Sequence, residues 1–245
     1  MTQHDDHDRG LAHDLSTMAD FAARRRALLK WRLGVGALPL LACAGSNLDS
    51  TDMSSEAGAG ATGTDTDASS TNTCSTIPEE TAGPYPGDGT NGANALALSG
   101  IVRSDITSSI DGASGVAEGV PLTVKLTVLD GQNGCKPIAG YAVYLWHCDR
   151  AGNYSMYSAA AANENYLRGV QETDADGTVT FTTIFPACYS GRWPHIHFEV
   201  YPSLDVASSG NNKVATSQLA LPEDACNDVF DTDGYAASVA NLSQV

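Results

Sequence analysis

The sequence predicts an all-β domain, an antiparallel β-sandwich, over residues 75–245. In PLTVKLTVLD (121–130), Leu and Val alternate with Thr and Lys, which is the period of a half-buried strand. Further strand-like runs are YAVYLWHCD (141–149), TVTFTTIFP (178–186), HIHFEVYP (195–202) and VATSQLALP (214–222). Turn sequences such as DGQNG, TDADG and SSGNN separate these runs. No long stretch after residue 75 has helical periodicity, although 158–169 could hold a turn or two, so the strands favour an antiparallel sandwich.

Residues 1–43 have the pattern of an export signal. Three arginines, Arg24 to Arg26, precede an apolar run that ends at Cys43 and is too short to span a bilayer. RRALLK resembles a twin-arginine signal, and LLAC resembles the lipobox of bacterial lipoproteins, whose cysteine is acylated. An ordinary secretory signal or an uncleaved anchor remains an alternative. We expect an exported protein that is periplasmic or extracellular. A lipid on Cys43 could tether it to a membrane.

The composition after Cys43 argues for a tether and against a nucleic-acid partner. Residues 44–74 are rich in Ser, Thr, Gly, Ala and Asp and have few large apolar side chains, so we interpret them as a disordered linker. Seven basic residues stand against 24 acidic ones after Cys43. Such a balance makes nucleic acid an unsuitable partner.

Five cysteines remain after Cys43, and an oxidising compartment favours disulfides among them. Five thiols allow at most two bonds within the chain, and we expect one between Cys188 and Cys226. No CxxC spacing occurs, so a cysteine zinc site is not indicated.

Two histidines in the run GRWPHIHFEVYP are the first candidates for chemistry. Residues two apart in a strand face the same side, so His195 and His197 project together. Two buried imidazoles cost desolvation free energy unless their nitrogens are satisfied, and a metal ion does so directly. His147 could add a third ligand in a zinc site, which we consider the weaker alternative.

Two tyrosines narrow the choice of metal. Tyr154 follows a turn in DRAGNYS, and Tyr189 lies six residues before His195. A phenolate is a hard anionic ligand that suits Fe(III), whereas zinc more often takes a third His, a carboxylate or a thiolate. Two phenols and two imidazoles therefore favour a non-haem ferric site.

Longer motifs around these residues resemble the intradiol ring-cleavage dioxygenases, the family of catechol 1,2-dioxygenase and protocatechuate 3,4-dioxygenase. The motifs are WHCDRAGNYS, NYLRGVQETDADGTVTFTTIFPACYSGRWPHIHF, TSQLAL and IPEETAGPYPGDG, which together cover nearly all of residues 75–222. Only five residues separate Tyr189 from His195, so the resemblance is greater to exported, single-domain members.

The resemblance implies a role for each candidate residue. The implied Fe(III) ligands are Tyr154, Tyr189, His195 and His197. It implies that Tyr189 accepts a substrate proton, that Arg192 stabilises negative charge on the substrate, and that Gln218 lines the same pocket. Tyr85 is expected to approach the substrate.

The implied activity is cleavage of a catechol ring by O2 between the two hydroxylated carbons, which gives muconate-type dicarboxylates. The expected partners are a small catechol-type substrate and O2, and a homo-oligomer is an open alternative. Two rival hypotheses remain: a non-catalytic β-sandwich module that binds a phenolic ligand or polymer, and a zinc or copper enzyme built on the histidine pair.

Overall fold

The protein is described here by a computed structural model, which covers residues 74–245. Its strands are β1 (Pro121–Thr127), β2 (Leu129–Asp130), β3 (Lys136–Pro137), β4 (Ala142–Trp146), β5 (Arg168–Glu172), β6 (Thr178–Ile184), β7 (His195–Tyr201) and β8 (Ala215–Ala220). Its α-helices are α1 (Glu223–Phe230) and α2 (Ala236–Leu242), and short 3-10 helices lie at Ala95–Ala97, Leu204–Val206 and Gly210–Asn212. Each of the five predicted strand regions contains an observed strand.

The strands form an antiparallel four-stranded sheet in the order β5-β4-β7-β8, a β1-β6 pair and a short β2-β3 pair. In the larger sheet, Trp146 of β4 pairs with Arg168 of β5 on one side and with His197 of β7 on the other. His197 in turn pairs with Gln218 of β8. The register therefore aligns four polar or aromatic side chains across the sheet.

Strand alternation gives the four-stranded sheet two distinct faces. One face, with Val143 and Ile196 among its residues, packs against Val124 and Phe181 of the β1-β6 pair. This apolar layer between two sheets confirms the predicted antiparallel sandwich. The opposite face of β7 carries the two histidines.

Two parts of the fold differ from the sequence-based prediction. Residues 158–163 form turns rather than a helix. Strand β5, which begins at Arg168, was not predicted. The two C-terminal helices were also not predicted. Helix α1 is short, and its buried Cys226 and Phe230 pack against Phe185. Short helices depend on tertiary packing more than on local propensity, so the local sequence did not indicate it.

The predicted Cys188–Cys226 disulfide is wrong. Both residues are buried free thiols in the cluster around Phe185, and the Cys188 thiol instead lies 3.3 Å from the carbonyl oxygen of Arg192. The disulfide of the structure joins Cys74, at the end of the predicted linker, to Cys135 beside β3. Cys148 is a third buried free thiol.

Breaking the Cys74–Cys135 bond should destabilise the domain. The bond closes a loop between residues 61 apart, and such a cross-link typically contributes about 2–4 kcal/mol by restricting the unfolded chain. We expect Cys74→Ser to lower the free energy of unfolding by that amount in urea titrations. Reductant should bring wild type to the variant's midpoint. An unchanged wild-type midpoint in reductant would contradict the expectation, and Cys226→Ala serves as a control whose reductant sensitivity should match wild type.

The predicted export signal (1–43), with Cys43, and the linker up to residue 73 lie outside the described residues. Within residues 74–245, no helix is both long and apolar enough to cross a membrane.

Candidate metal centre

The four predicted metal ligands come from three parts of the fold and meet on one face of the sheet. His195 and His197 are the first and third residues of β7. Tyr154 lies in the connection between β4 and β5, and Tyr189 lies in the connection between β6 and β7. Tyr154 and both histidines are buried, whereas Tyr189 is half-buried.

The donor atoms of these side chains converge on a common point. The Tyr154 hydroxyl is 3.4 Å from Nε2 of His195 and 3.4 Å from Nε2 of His197. The Tyr189 hydroxyl is 3.3 Å from Nε2 of His195, and the two Nε2 atoms are 3.0 Å apart. Most of these distances are long for hydrogen bonds.

The same distances match the edges of a metal coordination shell. An ion that binds nitrogen at about 2.0–2.1 Å keeps its ligands about 2.9–3.4 Å apart at right-angled to tetrahedral angles. Among residues 74–245, no group of three or more His, Cys, Asp or Glu side chains could hold a metal ion. The donor set here has two imidazoles and two phenols, so it fits a hard ion that accepts phenolate.

Burial sets the protonation of these groups in the metal-free protein. It lowers the pKa of His195 to about 4, with a further contribution from Arg192, and lowers the pKa of His197 well below its usual value. Both imidazoles are therefore neutral at pH 7 and can bind a metal. Burial also raises the pKa of Tyr154 well above 10 and raises that of Tyr189. A bound cation reverses this effect, because it favours the phenolate.

The two histidine rings are held in different ways. His195 donates from Nδ1 to the carbonyl of Trp193 at 2.6 Å, which leaves Nε2 as the acceptor facing the cluster. His197 has no hydrogen-bond partner at Nδ1 among the described residues. Its ring instead stacks on Trp146, with centroids 4.9 Å apart and planes within 5°.

Arg192 and Gln218 form a polar wall beside the cluster. Arg192 is buried and donates from Nη2 to Oε1 of Gln218 at 2.7 Å, whereas its Nε has no partner among the described residues. Gln218 also donates to the carbonyl of Thr81 at 3.0 Å. Gln218 thus orients Arg192 and ties the N-terminal segment to β8.

That N-terminal segment forms a second wall. Gly83 has φ +70°, which would strain any other residue, and a Cβ there would be in van der Waals contact with the ring of His197 at 3.4 Å. The Tyr85 ring packs against Tyr154, with centroids 5.0 Å apart, and against Tyr157 at 5.3 Å. Tyr85 is 38 % exposed, so it lies between the buried cluster and solvent.

Other candidates do not join the cluster. His147 is buried, with Nδ1 donating to the Cys148 carbonyl at 2.8 Å and Nε2 2.7 Å from the Thr183 hydroxyl, so both nitrogens are engaged. Burial raises the pKa of Cys148 to about 12 and that of Cys188 to about 11, which disfavours a nucleophilic thiolate.

Sequence reasoning missed two residues that support the cluster, Trp146 and Arg168. Trp146 stacks on His197, and Arg168 is a fully buried arginine at the start of β5. A charged residue in the run NYLRGV that enters a buried strand was a signal for the second. The stacking partner had no comparable signal.

Comparisons with known proteins place this architecture in a family. A family model described as dioxygenase matches residues 102–197. The solved intradiol ring-cleavage dioxygenase from Tetranychus urticae is 31% identical, with 66% of this chain and 72% of that chain covered and a TM-score of 0.50. Catechol 1,2-dioxygenase 1 of Acinetobacter lwoffii is 30% identical in an alignment of 163 residues that covers 59% of this chain and 47% of that protein.

The fold and the site define a class of protein: a β-sandwich in which two histidines of β7 and two tyrosines from strand connections converge on one face of the sheet. The chain belongs to the intradiol ring-cleavage dioxygenase family, which confirms the resemblance read from its motifs. The match spans about half the length of the Acinetobacter relative.

Proposed function

We propose that the protein is a non-haem Fe(III) dioxygenase that cleaves catechol-type rings between the two hydroxylated carbons and releases muconate-type dicarboxylates. The observation that supports this most directly is the convergence of two phenols and two imidazoles with donor separations of 3.0–3.4 Å. Tyr154, Tyr189, His195 and His197 would hold the ion. Bound there, Fe(III) supplies Lewis acidity that favours the catechol dianion and draws electron density from its ring.

The two tyrosines are suited to different tasks. Tyr154 is 2 % exposed, its ring packs on Tyr85, and its backbone amide donates to the Ser158 hydroxyl at 2.9 Å, so it is firmly held. Tyr189 is only half-buried, so it is less confined than Tyr154. Tyr189 is therefore the phenolate better placed to move aside and accept a proton from the incoming catechol.

Arg192 supplies fixed positive charge beside the same space. Its buried guanidinium, whose Nε has no partner within the described part of the chain, can stabilise negative charge that develops on the substrate ring and on the carboxylates of the product. Gln218 holds Arg192 in this orientation through its side-chain oxygen. The ring of Tyr85 packs on that of Tyr154 and so borders the proposed substrate site.

Removing iron should abolish both colour and oxygen uptake. Phenolate bound to Fe(III) absorbs visible light by charge transfer, so the iron-loaded protein should be reddish and should bleach with dithionite. We expect dialysis against a chelator under reducing conditions to remove the absorption and catechol-dependent O2 consumption together. Ferric iron in air should restore both.

Zinc loading is the control for this experiment. Zinc has no redox chemistry and gives no visible charge transfer, so zinc-loaded protein should be colourless and should consume no oxygen. Oxygen uptake by the zinc form, or iron-loaded protein that neither changes its spectrum with catechols nor consumes O2, would contradict the proposal. Stable catechol binding without O2 consumption would instead favour the binding-module hypothesis.

We also propose that the protein acts outside the cytoplasm, on the basis of the pattern RRALLK and LLAC in residues 1–43. Mass spectrometry of the mature N-terminus should find Cys43 as the first residue, carrying acyl chains. A mature chain that retains Arg24 to Arg26 would contradict processing at this site.

A further inference from the structure

Arg168 is a buried cation without a carboxylate partner among the described residues. It is 1 % exposed, and the ion pairs within residues 74–245 involve Arg150 and Lys213 instead. A buried charge is costly unless its hydrogen-bonding capacity is fully used. Arg168 therefore needs acceptors from the surrounding chain.

Five acceptor contacts satisfy the guanidinium of Arg168. Its Nε donates to the hydroxyl of Ser155 at 3.0 Å, and its Nη2 donates to the carbonyls of Ser155 and Tyr85, both at 3.0 Å. Its Nη1 donates to the carbonyl of Pro86 at 2.7 Å and to the hydroxyl of Tyr144 at 2.9 Å. One planar fork thus joins two segments far apart in sequence.

Both segments belong to the candidate metal centre. Ser155 directly follows Tyr154, and Tyr85 packs its ring on that of Tyr154. The fit around the guanidinium is close: at Gly87, where φ is +62°, a Cβ would lie 2.7 Å from Nη1 of Arg168. The guanidinium of Arg168 therefore holds both the backbone that follows Tyr154 and the segment that carries Tyr85.

We propose that Arg168 is a positioning residue that sets the orientation of Tyr154 relative to the ring of Tyr85, and thereby the shape of the substrate space. This inference rests on the proposed function for its catalytic consequence. Its structural part, the joint immobilisation of residues 83–87 and 154–158, can be tested without catalysis.

The test is Arg168→Lys in the full chain. Lysine keeps the positive charge but has a single compact ammonium with three donors, so it cannot bridge both segments. Arg103→Lys is the matched control. Arg103 also donates to backbone carbonyls: its Nε and Nη2 donate to the carbonyl of Arg168 at 3.0 and 2.6 Å, and its Nη2 also donates to that of Asn165 at 3.3 Å. None of these acceptors lies in residues 83–87 or 154–158.

Hydrogen exchange of the metal-free protein is the first readout. Gly87 donates its amide to the Tyr157 hydroxyl at 2.8 Å, and Ser158 donates its amide to the Tyr154 carbonyl at 2.9 Å. In Arg168→Lys we expect faster exchange in peptides covering 83–87 and 154–158 and unchanged exchange in β7. The Arg103→Lys control should leave both site peptides as in wild type.

Iron-loaded protein gives the second readout. We expect Arg168→Lys to bind iron and to show a shifted charge-transfer band, with kcat/KM for catechol lowered by about 10- to 100-fold, because small misplacements at a reacting centre have effects of that size. If wild type fails to cleave catechols, the proposed function fails, and the exchange pattern still decides whether Arg168 joins the two segments.

Two smaller variants separate the halves of the contact, and they decide the matter if Arg168→Lys does not fold. Ser155→Ala removes the acceptor of Nε and should increase exchange mainly at 154–158. Tyr144→Phe removes an acceptor of Nη1 and a donor to the Pro86 carbonyl, so it should act mainly at 83–87. Wild-type exchange in both site peptides, or an equal increase throughout β7, would overturn the proposal.

Discussion

Replacing Tyr154 by phenylalanine is expected to remove most of the visible absorption of iron-loaded protein and to reduce ring cleavage to background. The phenol oxygen lies 3.4 Å from Nε2 of each histidine, so its loss removes one of four converging donors. Mutation of a residue that only orients a metal ligand already lowers metal affinity by about 10- to 100-fold. We therefore expect a loss of iron affinity beyond about 100-fold.

The metal-free Tyr154→Phe variant should remain folded. Phenylalanine retains the ring that packs on Tyr85 at 5.0 Å, and the lost hydroxyl makes only long contacts. The free energy of unfolding of the metal-free protein should change by no more than about 1 kcal/mol, which is the net value of an ordinary hydrogen bond. Urea titration checks this, and it separates loss of the metal from loss of the fold.

Tyr157→Phe is the matched control for this variant. Tyr157 also packs against Tyr85, but its hydroxyl accepts from the Gly87 amide and donates to Asn91 rather than facing the cluster. It should keep iron and colour. A Tyr154→Phe protein with wild-type iron content, spectrum and activity would show that Tyr154 is not a ligand.

The β7 segment shows why much of the site could be predicted from sequence. In HIHFEVY, the two-residue period of a strand places His195 and His197 on one face and Ile196 on the other, and the structure has this arrangement. The pattern is local, so it needs no knowledge of the rest of the fold. Tyr154 and Tyr189 required the surrounding motifs as well, because neither lies in a regular element.

The supporting contacts could not be predicted in the same way. Arg168 reaches the carbonyl of Tyr85, which is 83 residues away in sequence, and Gln218 reaches that of Thr81, which is 137 residues away. Such contacts depend on the path of the N-terminal segment across β8. The same path brings Cys74 to Cys135, so the disulfide was missed for the same physical reason.

Replacing Arg192 by glutamine should lower kcat/KM for catechols by about 10²- to 10³-fold, or about 2.7–4 kcal/mol of transition-state stabilisation, the usual effect of removing one well-placed charge-stabilising donor. Arg192 is 5 % exposed, so little solvent screens its charge, and its Nε has no hydrogen-bond partner within residues 74–245. Iron content and the resting visible spectrum should be preserved, because none of the converging donor atoms belongs to Arg192.

Two further variants decide whether charge or geometry accounts for the effect of Arg192. Arg192→Lys keeps the charge but loses the planar fork that bonds Gln218 at 2.7 Å, so it should recover part of the lost kcat/KM if charge dominates. Arg150→Gln removes a partly exposed arginine paired with the exposed Glu118 and should leave kcat/KM near wild type. Steady-state O2 uptake at several catechol concentrations measures each variant. If Arg192→Gln matches Arg150→Gln with iron fully bound, developing negative charge is stabilised elsewhere, and the assigned role of Arg192 is wrong.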